Sequence, residues 1–249
     1  MKTRIVVMAA GKGTRMNSDI VKVLTPLRGK PVILHLLESV EKSKIDSRPI
    51  VIVGYQAEEV KKVLGDKYEY VLQKEQLGTG HAVICTQGAV DKSVDNVIVL
   101  NGDVPLTKPE TIKRLKESHE SNDSPITIAT GKVENYEDWR KSFYSFGRIV
   151  RNINGDIDAI IEKKDASEEQ LKIMEINPAL YCFNTSWLWE NLKKLNKNNA
   201  AEEYYLTDLI HIAIENGEMI NSINIDPLEC VGVNTLEDLH LAENLIKKI

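Results

Sequence analysis

Apolar positions fall along this chain in two alternating rhythms. Residues 4–9 read as a continuous, largely apolar strand, the pattern of a strand buried on both faces of a sheet. Glycines follow. Then Val32, Leu36, Leu37 and Val40 lie on one stripe of a helix whose first turn Pro31 is suited to open. The change of rhythm recurs, predicting strands at 49–53, 68–72 and 96–100, helices at 57–64, 79–90 and 110–120, and an extended segment at 125–130. Such alternation predicts βαβ units, a parallel sheet and right-handed crossovers.

The rhythm changes in the second half. Extended runs at 147–150 and 157–162 flank Asn154-Gly155, a hairpin signal. Ser167 and Gln170 have the spacing of a capping box and predict a short helix. Residues 175–183 read as extended, 185–195 and 206–216 as helical, and Thr235 to Asp238 as the start of a last helix reaching residue 249. No low-complexity linker or repeat interrupts the chain. The predicted fold class is therefore α/β. It is a Rossmann-like mixed, mainly parallel sheet with helices on both faces and a small β-rich insertion. One domain is expected over residues 1–249, with a nucleotide-binding half at about 1–130, an acceptor-binding half at about 131–234 and a C-terminal helix at 235–249.

Composition narrows the classes of function. The 249 residues are 42% hydrophobic and 28% charged, ordinary globular material. A net charge of −5 argues against a general nucleic-acid binder, which needs a basic face. Cys85, Cys182 and Cys230 are odd in number and far apart, which argues against a disulfide framework or a structural zinc site and fits a reducing cytoplasm. The five histidines are scattered and read as surface or satisfied core residues. The apolar run at 5–10 is interrupted by Lys12 and Arg15, too soon for a signal peptide, and no stretch approaches a membrane span of about 20 residues. A cytoplasmic enzyme without nucleic-acid or membrane partners is expected.

Three segments carry candidate chemistry. Ala9-Ala10-Gly11-Lys12-Gly13-Thr14-Arg15-Met16 follows the first strand, where α/β sheets bind ligands. Its glycines let backbone amides approach a phosphate, while Arg15 and Lys22 are cations suited to neutralise one. It is neither a Walker loop nor the dinucleotide fingerprint, since Met16 stands at the third glycine's place. A plain glycine turn remains the alternative. Gln73-Lys74-Glu75-Gln76-Leu77-Gly78-Thr79-Gly80-His81-Ala82 joins a strand to a helix. Gln73 offers donor and acceptor to a base edge, with Gly78 and Thr79 close by; the alternative is a helix-capping turn. Asp103 ends an apolar strand and suits a hard cation such as Mg²⁺, which takes few protein oxygens and completes its shell with phosphates and water. Asn234 offers a second oxygen. An ordinary βα turn and a helix start are the alternatives.

Taken together, these segments resemble the uridylyltransferase (pyrophosphorylase) part of bacterial N-acetylglucosamine-1-phosphate uridylyltransferases. The resemblance also includes Gly102-Asp103-Val104-Pro105-Leu106, Gly147-Arg148-Ile149-Val150, Ile161-Glu162-Lys163-Lys164-Asp165-Ala166, Glu175-Ile176-Asn177, Glu203-Tyr204-Tyr205-Leu206-Thr207-Asp208 and Val231-Gly232-Val233-Asn234, in the family's order across nearly the whole chain. It implies Mg²⁺-dependent transfer from UTP to N-acetylglucosamine-1-phosphate, giving UDP-N-acetylglucosamine for cell-envelope precursors. By resemblance, Arg15 and Lys22 are catalytic, and Ala10, Gly11, Gly13, Gln73, Gly78 and Thr79 bind the nucleotide. Gly147, Glu162, Asn177 and Thr207 bind the sugar phosphate; Asp103 and Asn234 bind the metal. The chain departs from the family's usual residues at Val21, Asn101, Lys163 and Pro178-Ala179, the last in the segment expected to line the sugar pocket. Acetyl transfer, which the family's bifunctional members carry on a hexapeptide-repeat β-helix, is not expected of these residues. The alternatives are a sister nucleotidyltransferase with another hexose or base, and a catalytically silent nucleotide-sensing subunit.

Overall fold

Val6, Val7, Ile50 to Val53 and Val97 to Leu100 have no accessible surface, so the strands that carry them must be covered on both sides. The computed structural model describes residues 1–13 and 20–246. In chain order the strands are β1 (Thr3–Ala9), β2 (Pro26–Leu27), β3 (Lys30–Pro31), β4 (Ile50–Val53), β5 (Glu69–Leu72), β6 (Asn96–Asn101), β7 (Ile126–Lys132), β8 (Gly147–Arg151), β9 (Ile157–Ile161), β10 (Glu175–Asn177), β11 (Tyr181–Asn184) and β12 (Asn221–Ile225). The α-helices are α1 (Val32–Ser43), α2 (Ala57–Leu64), α3 (Thr79–Ile84), α4 (Pro109–Glu120), α5 (Thr185–Asn191), α6 (Asp208–Glu215) and α7 (Leu236–Ile246).

The main sheet runs β5-β4-β1-β6-β11-β7-β10-β8-β9, with β12 also paired to β7. Strands β5, β4, β1 and β6 are mutually parallel. Strand β11 reverses direction against β6, and β7–β10–β8–β9 continue antiparallel. The period of two divides the side chains between two cores. Val7, Val51, Val53, Ile98 and Leu100 face one core with residues of α1, α2, α4 and α7. Val6, Ile50, Ile52, Val97 and Val99 face the other with residues of α3, α5 and α6. The mixed, mainly parallel α/β sheet with helices on both faces is thus as the pattern predicts.

Several boundaries differ from the prediction, each for a local reason. The helix expected at 79–90 ends at Ile84, and the Thr86 hydroxyl donates to the Val83 carbonyl (2.7 Å), drawing the backbone into turns. The helix expected at 185–195 ends at Asn191, whose side-chain amide donates back to Trp187 O, and a 3₁₀ turn follows. The helix expected at 206–216 starts at Asp208, and the Leu206 N–H ahead of it donates to the Thr79 hydroxyl (3.0 Å). Ser167 and Gln170 do form a reciprocal capping box, on a single 3₁₀ turn. The expected strand 175–183 is split in two: Pro178 has no N–H to give, and Ala179 adopts a left-handed conformation (φ +58°). Strand β12 escapes the pattern because three of its five residues, Asn221, Ser222 and Asn224, are polar. The β2–β3 pair, closed by Arg28 and Gly29 at positive φ, is too short to show a period.

Candidate active site

The parallel strands deliver their C-terminal ends to one edge, and there the chain needs glycine. A Cβ on Gly102 would lie 2.8 Å from Met8 O, to which the Gly102 N–H donates (2.9 Å). Gly102 therefore lets the turn after β6 tuck against β1 and carries Asp103 inward. Gly13 is at φ +64°, with a Cβ position 2.5 Å from Lys22 Cβ, so the loop closes on the lysine only without a side chain. Nothing lies within 4 Å of where a Gly11 Cβ would stand.

Lys22 Nζ lies 2.5 Å from Asp103 Oδ2 and 3.1 Å from Asn234 Oδ1. Asn234 arrives from the far end of the sequence and is held on both sides. The Val233 N–H donates to Asp103 O (2.8 Å), and the Asn234 and Thr235 amides both donate to Asp238 Oδ2 (3.0 Å). Asp238 N in turn donates to Thr235 Oγ1 (3.1 Å), completing a capping box that opens α7. The sequence signal at 235–238 is thus a real helix start, and its further effect is to fix Asn234 against β6. Arg15, the other expected catalytic cation, lies outside the described residues, as do Met16 and residues 247–249, over which the last helix was expected to continue.

Asp103 and Asn234 suit a divalent hard cation. Their two oxygens converge on a single positive group, the Lys22 ammonium, so the structure already places a cation where both can reach it. Among the described residues no group of three or more His, Cys, Asp or Glu side chains is arranged to hold a metal. A cation here would therefore draw its remaining ligands from phosphates and water, the usual habit of Mg²⁺.

A cavity of about 470 Å³ opens beside these residues, lined by Ala10, Gly11, Lys22, Gln73, Gly78, Thr79 and Asp103 among others. It brings the expected phosphate and base segments together. Gln73 is held at every polar backbone atom: its N–H donates to Val53 O (2.8 Å), and its carbonyl accepts from Gln76 Nε2 (3.0 Å). Its side-chain Nε2 donates to Gly78 O (3.1 Å) and lies 3.1 Å from His81 Nδ1. Gly78 (φ +112°) has no room for a Cβ, which would stand 2.6 Å from Tyr204 O. The Gly80 N–H donates to that same carbonyl (2.8 Å), and Tyr204 N donates to Leu77 O (2.9 Å). The glycines thus dock the segment 77–80 onto residues 203–206, and the Thr79 hydroxyl accepts from Leu206 N. Thr79 lines the cavity with its hydroxyl already engaged. Sequence reasoning gave no role to Gln76, His81 or Glu203; the first two sat in plain view within the same motif.

Four expected sugar-site residues also gather. Gly147 and Asn177 are register partners across β8 and β10. A Cβ on Gly147 would stand in ordinary contact with Ile160 Cγ2 (3.4 Å) and both Glu162 carboxylate oxygens (3.5 Å), so the strand passes directly beside that carboxylate. Thr207 Oγ1 donates to Glu162 Oε1 (3.2 Å). Burial raises the Glu162 pKa; the Thr207 bond opposes this, while Asp165, Asp208 and Glu203 add to it. Asn177 is turned inward: its Nδ2 donates to Tyr181 Oη (2.6 Å), and its Oδ1 accepts from Ala179 N (3.0 Å). Beneath this cluster Arg148 is fully buried, donating to the carbonyls of Phe146, Tyr144 and Leu171 with the rings of Tyr136 and Tyr144 beside it. At the departures, Val21 sits at φ −53° and ψ 129°, a conformation that proline also adopts, and Lys163 lies over the Tyr144 ring.

Fold and family together are those of a nucleotidyltransferase. The chain belongs to the MobA-like NTP transferase domain family, whose model matches residues 5–209. It is 42% identical over 244 residues to the bifunctional protein GlmU of Shouchella clausii, covering 98% of this chain and 52% of that protein. The GlmU of Clostridium novyi is 41% identical, covering 97% and 52%. The chain thus spans about half the length of these curated relatives. Among solved structures, a Bacillus anthracis protein described as a glucose-1-phosphate thymidylyltransferase superposes with a TM-score of 0.78, covering 99% of this chain and 96% of that one. At 19% identity that likeness concerns the fold. No described helix is long and apolar enough to cross a membrane.

Proposed function

We propose that this chain catalyses uridylyl transfer from UTP to N-acetylglucosamine-1-phosphate, releasing pyrophosphate and forming UDP-N-acetylglucosamine. The observation that carries the reading is the convergence of Lys22, Asp103 and Asn234 at the strand ends, on a cavity that also reaches Gln73, Gly78 and Thr79. The relatives named GlmU support the choice of sugar nucleotide. A phosphate oxygen of the sugar phosphate attacks the α-phosphorus of UTP, and pyrophosphate leaves in line. The nucleophile is already ionised, so no side chain has to remove a proton. The main obstacle is repulsion between two polyanions. Lys22 meets it by holding phosphate oxygens, with Arg15 as the second cation. Mg²⁺, held by Asp103 and Asn234, would supply further charge neutralisation when bound. Glu162 and Thr207 offer hydrogen bonds to the sugar, with the Gly147 backbone beside the Glu162 carboxylate.

The test is pyrophosphate release from a panel of nucleoside triphosphates against sugar-1-phosphates. UTP with N-acetylglucosamine-1-phosphate should give the highest kcat/KM. No release from any pair would sink the transferase reading and favour a silent sensing subunit. A preference for glucose-1-phosphate would change the sugar and spare the reaction class. Asn177 gives that outcome a physical basis, since its side-chain oxygen is already bonded within the 177–179 turn.

A further inference from the structure

The hydrogen-bond network around Gln73 has a direction. Gly78 O can only accept, so the end of the Gln73 amide facing it must be the nitrogen. That nitrogen carries two protons, and the second faces His81 Nδ1 at 3.1 Å. Nδ1 must then be the unprotonated ring nitrogen, with the imidazole proton on Nε2, which points towards Cys85 Sγ at 4.0 Å. Turning the amide over would set its oxygen against the carbonyl of Gly78 and the lone pair of His81. Both Nε2 protons are therefore used within the protein, and the Oε1 atom makes no hydrogen bond among the described residues. Gln73 lines the cavity.

We propose that His81 is a positioning residue that, together with the Gly78 carbonyl, fixes the polarity of Gln73, so that the cavity meets an acceptor and favours a pyrimidine with a ring N–H over one with a ring lone pair. This rests on reading the cavity as the base site. It predicts discrimination between uracil and cytosine, whose N3 atoms carry a proton and a lone pair respectively. His81 touches neither base nor phosphate in this scheme; it acts through Gln73.

The test uses the whole chain, with UTP and CTP binding measured calorimetrically for wild type, His81→Phe and His81→Asn, and turnover measured for wild type. His81→Phe keeps a ring and removes the acceptor. His81→Asn restores an acceptor close to the Nδ1 position. The UTP:CTP affinity ratio should fall roughly five- to tenfold in His81→Phe, mainly through weaker UTP binding, and recover in His81→Asn. A purely structural His81 would weaken both nucleotides alike and leave the ratio unmoved, which would overturn the proposal. So would a wild type with no preference for UTP over CTP. If His81→Phe does not fold, ¹⁵N NMR of the wild-type imidazole decides: a proton on Nε2 supports the assignment, and one on Nδ1 overturns it. A wild type that binds UTP with this His81 dependence yet releases no pyrophosphate would sink the transferase reading and leave the His81 assignment standing.

Discussion

Asp103 has the sharpest consequence of any single residue. Its carboxylate faces Lys22, and both side chains are only 16% exposed. Asp103→Ala should lower kcat by at least about 100-fold, since one preorganised electrostatic contact at a transition state is worth about 2.7–4 kcal/mol. Circular dichroism and melting temperature should change little. Wild-type turnover of Asp103→Ala at saturating Mg²⁺ would remove the residue from the reaction. Glu162 makes a prediction about pH. Burial first of all raises its pKa above the ordinary 4.5, so the folded state binds more protons than the unfolded one. The stability it contributes is fully present below the unfolded value and is lost as pH rises through the folded value. Glu162→Gln keeps an acceptor for Thr207 and removes the charge. The variant should melt roughly 2–4 °C higher than wild type at pH 7, with the gap closing towards pH 4. A constant gap across that range would show that charge is not the cause.

At the scale of elements, the start of α7 links fold to site. Thr235 and Asp238 cap the helix, and the same Asp238 oxygen holds the amide of Asn234. Thr235→Ala should cost about 1 kcal/mol of stability, the usual value of an N-cap. It should also weaken metal binding in the presence of nucleotide, because Asn234 loses part of its support. Chemical denaturation and a Mn²⁺ titration measure the two effects. A loss of stability with unchanged metal affinity would separate the cap from the site. The elements also show what a sequence reveals. The apolar runs at 4–9 and 96–100, the stripe from Val32 to Val40 and the glycines at 11, 78 and 102 were all legible, because periodicity and backbone freedom are local properties. The break at Pro178-Ala179 was present in the letters but reads as a split strand only where β10 leaves for β8 while β11 joins β6. Strand β12 was missed, since its partner β7 lies almost a hundred residues away and its apolar alternation amounts to Ile223 and Ile225 alone.

Across the whole molecule, the proposed substrates should stabilise the fold as a unit, because the site draws on β1, β6, the segment after β5 and the entry to α7. UTP with Mg²⁺ at about 100 times its Kd should add about 2.7 kcal/mol, a rise of roughly 5–10 °C in melting temperature. Adding a chelator to the UTP-loaded protein should remove most of that rise. A shift that survives chelation would show that nucleotide binding does not depend on the metal.

Local order was set by the sequence alone: which stretches are strands buried on both faces, where helices present one apolar stripe, and where glycine lets backbone approach backbone. The motif order was also enough to suggest the family and the candidate residues. Tertiary structure alone decided how those residues meet. Lys22 and Asn234 stand 212 positions apart and come within 3.1 Å, which no local rhythm encodes. The engagement of Thr79 by Leu206 and the inward bonding of Asn177 were likewise settled by packing, because a polar side chain carried into the interior must find a partner wherever the folded chain provides one.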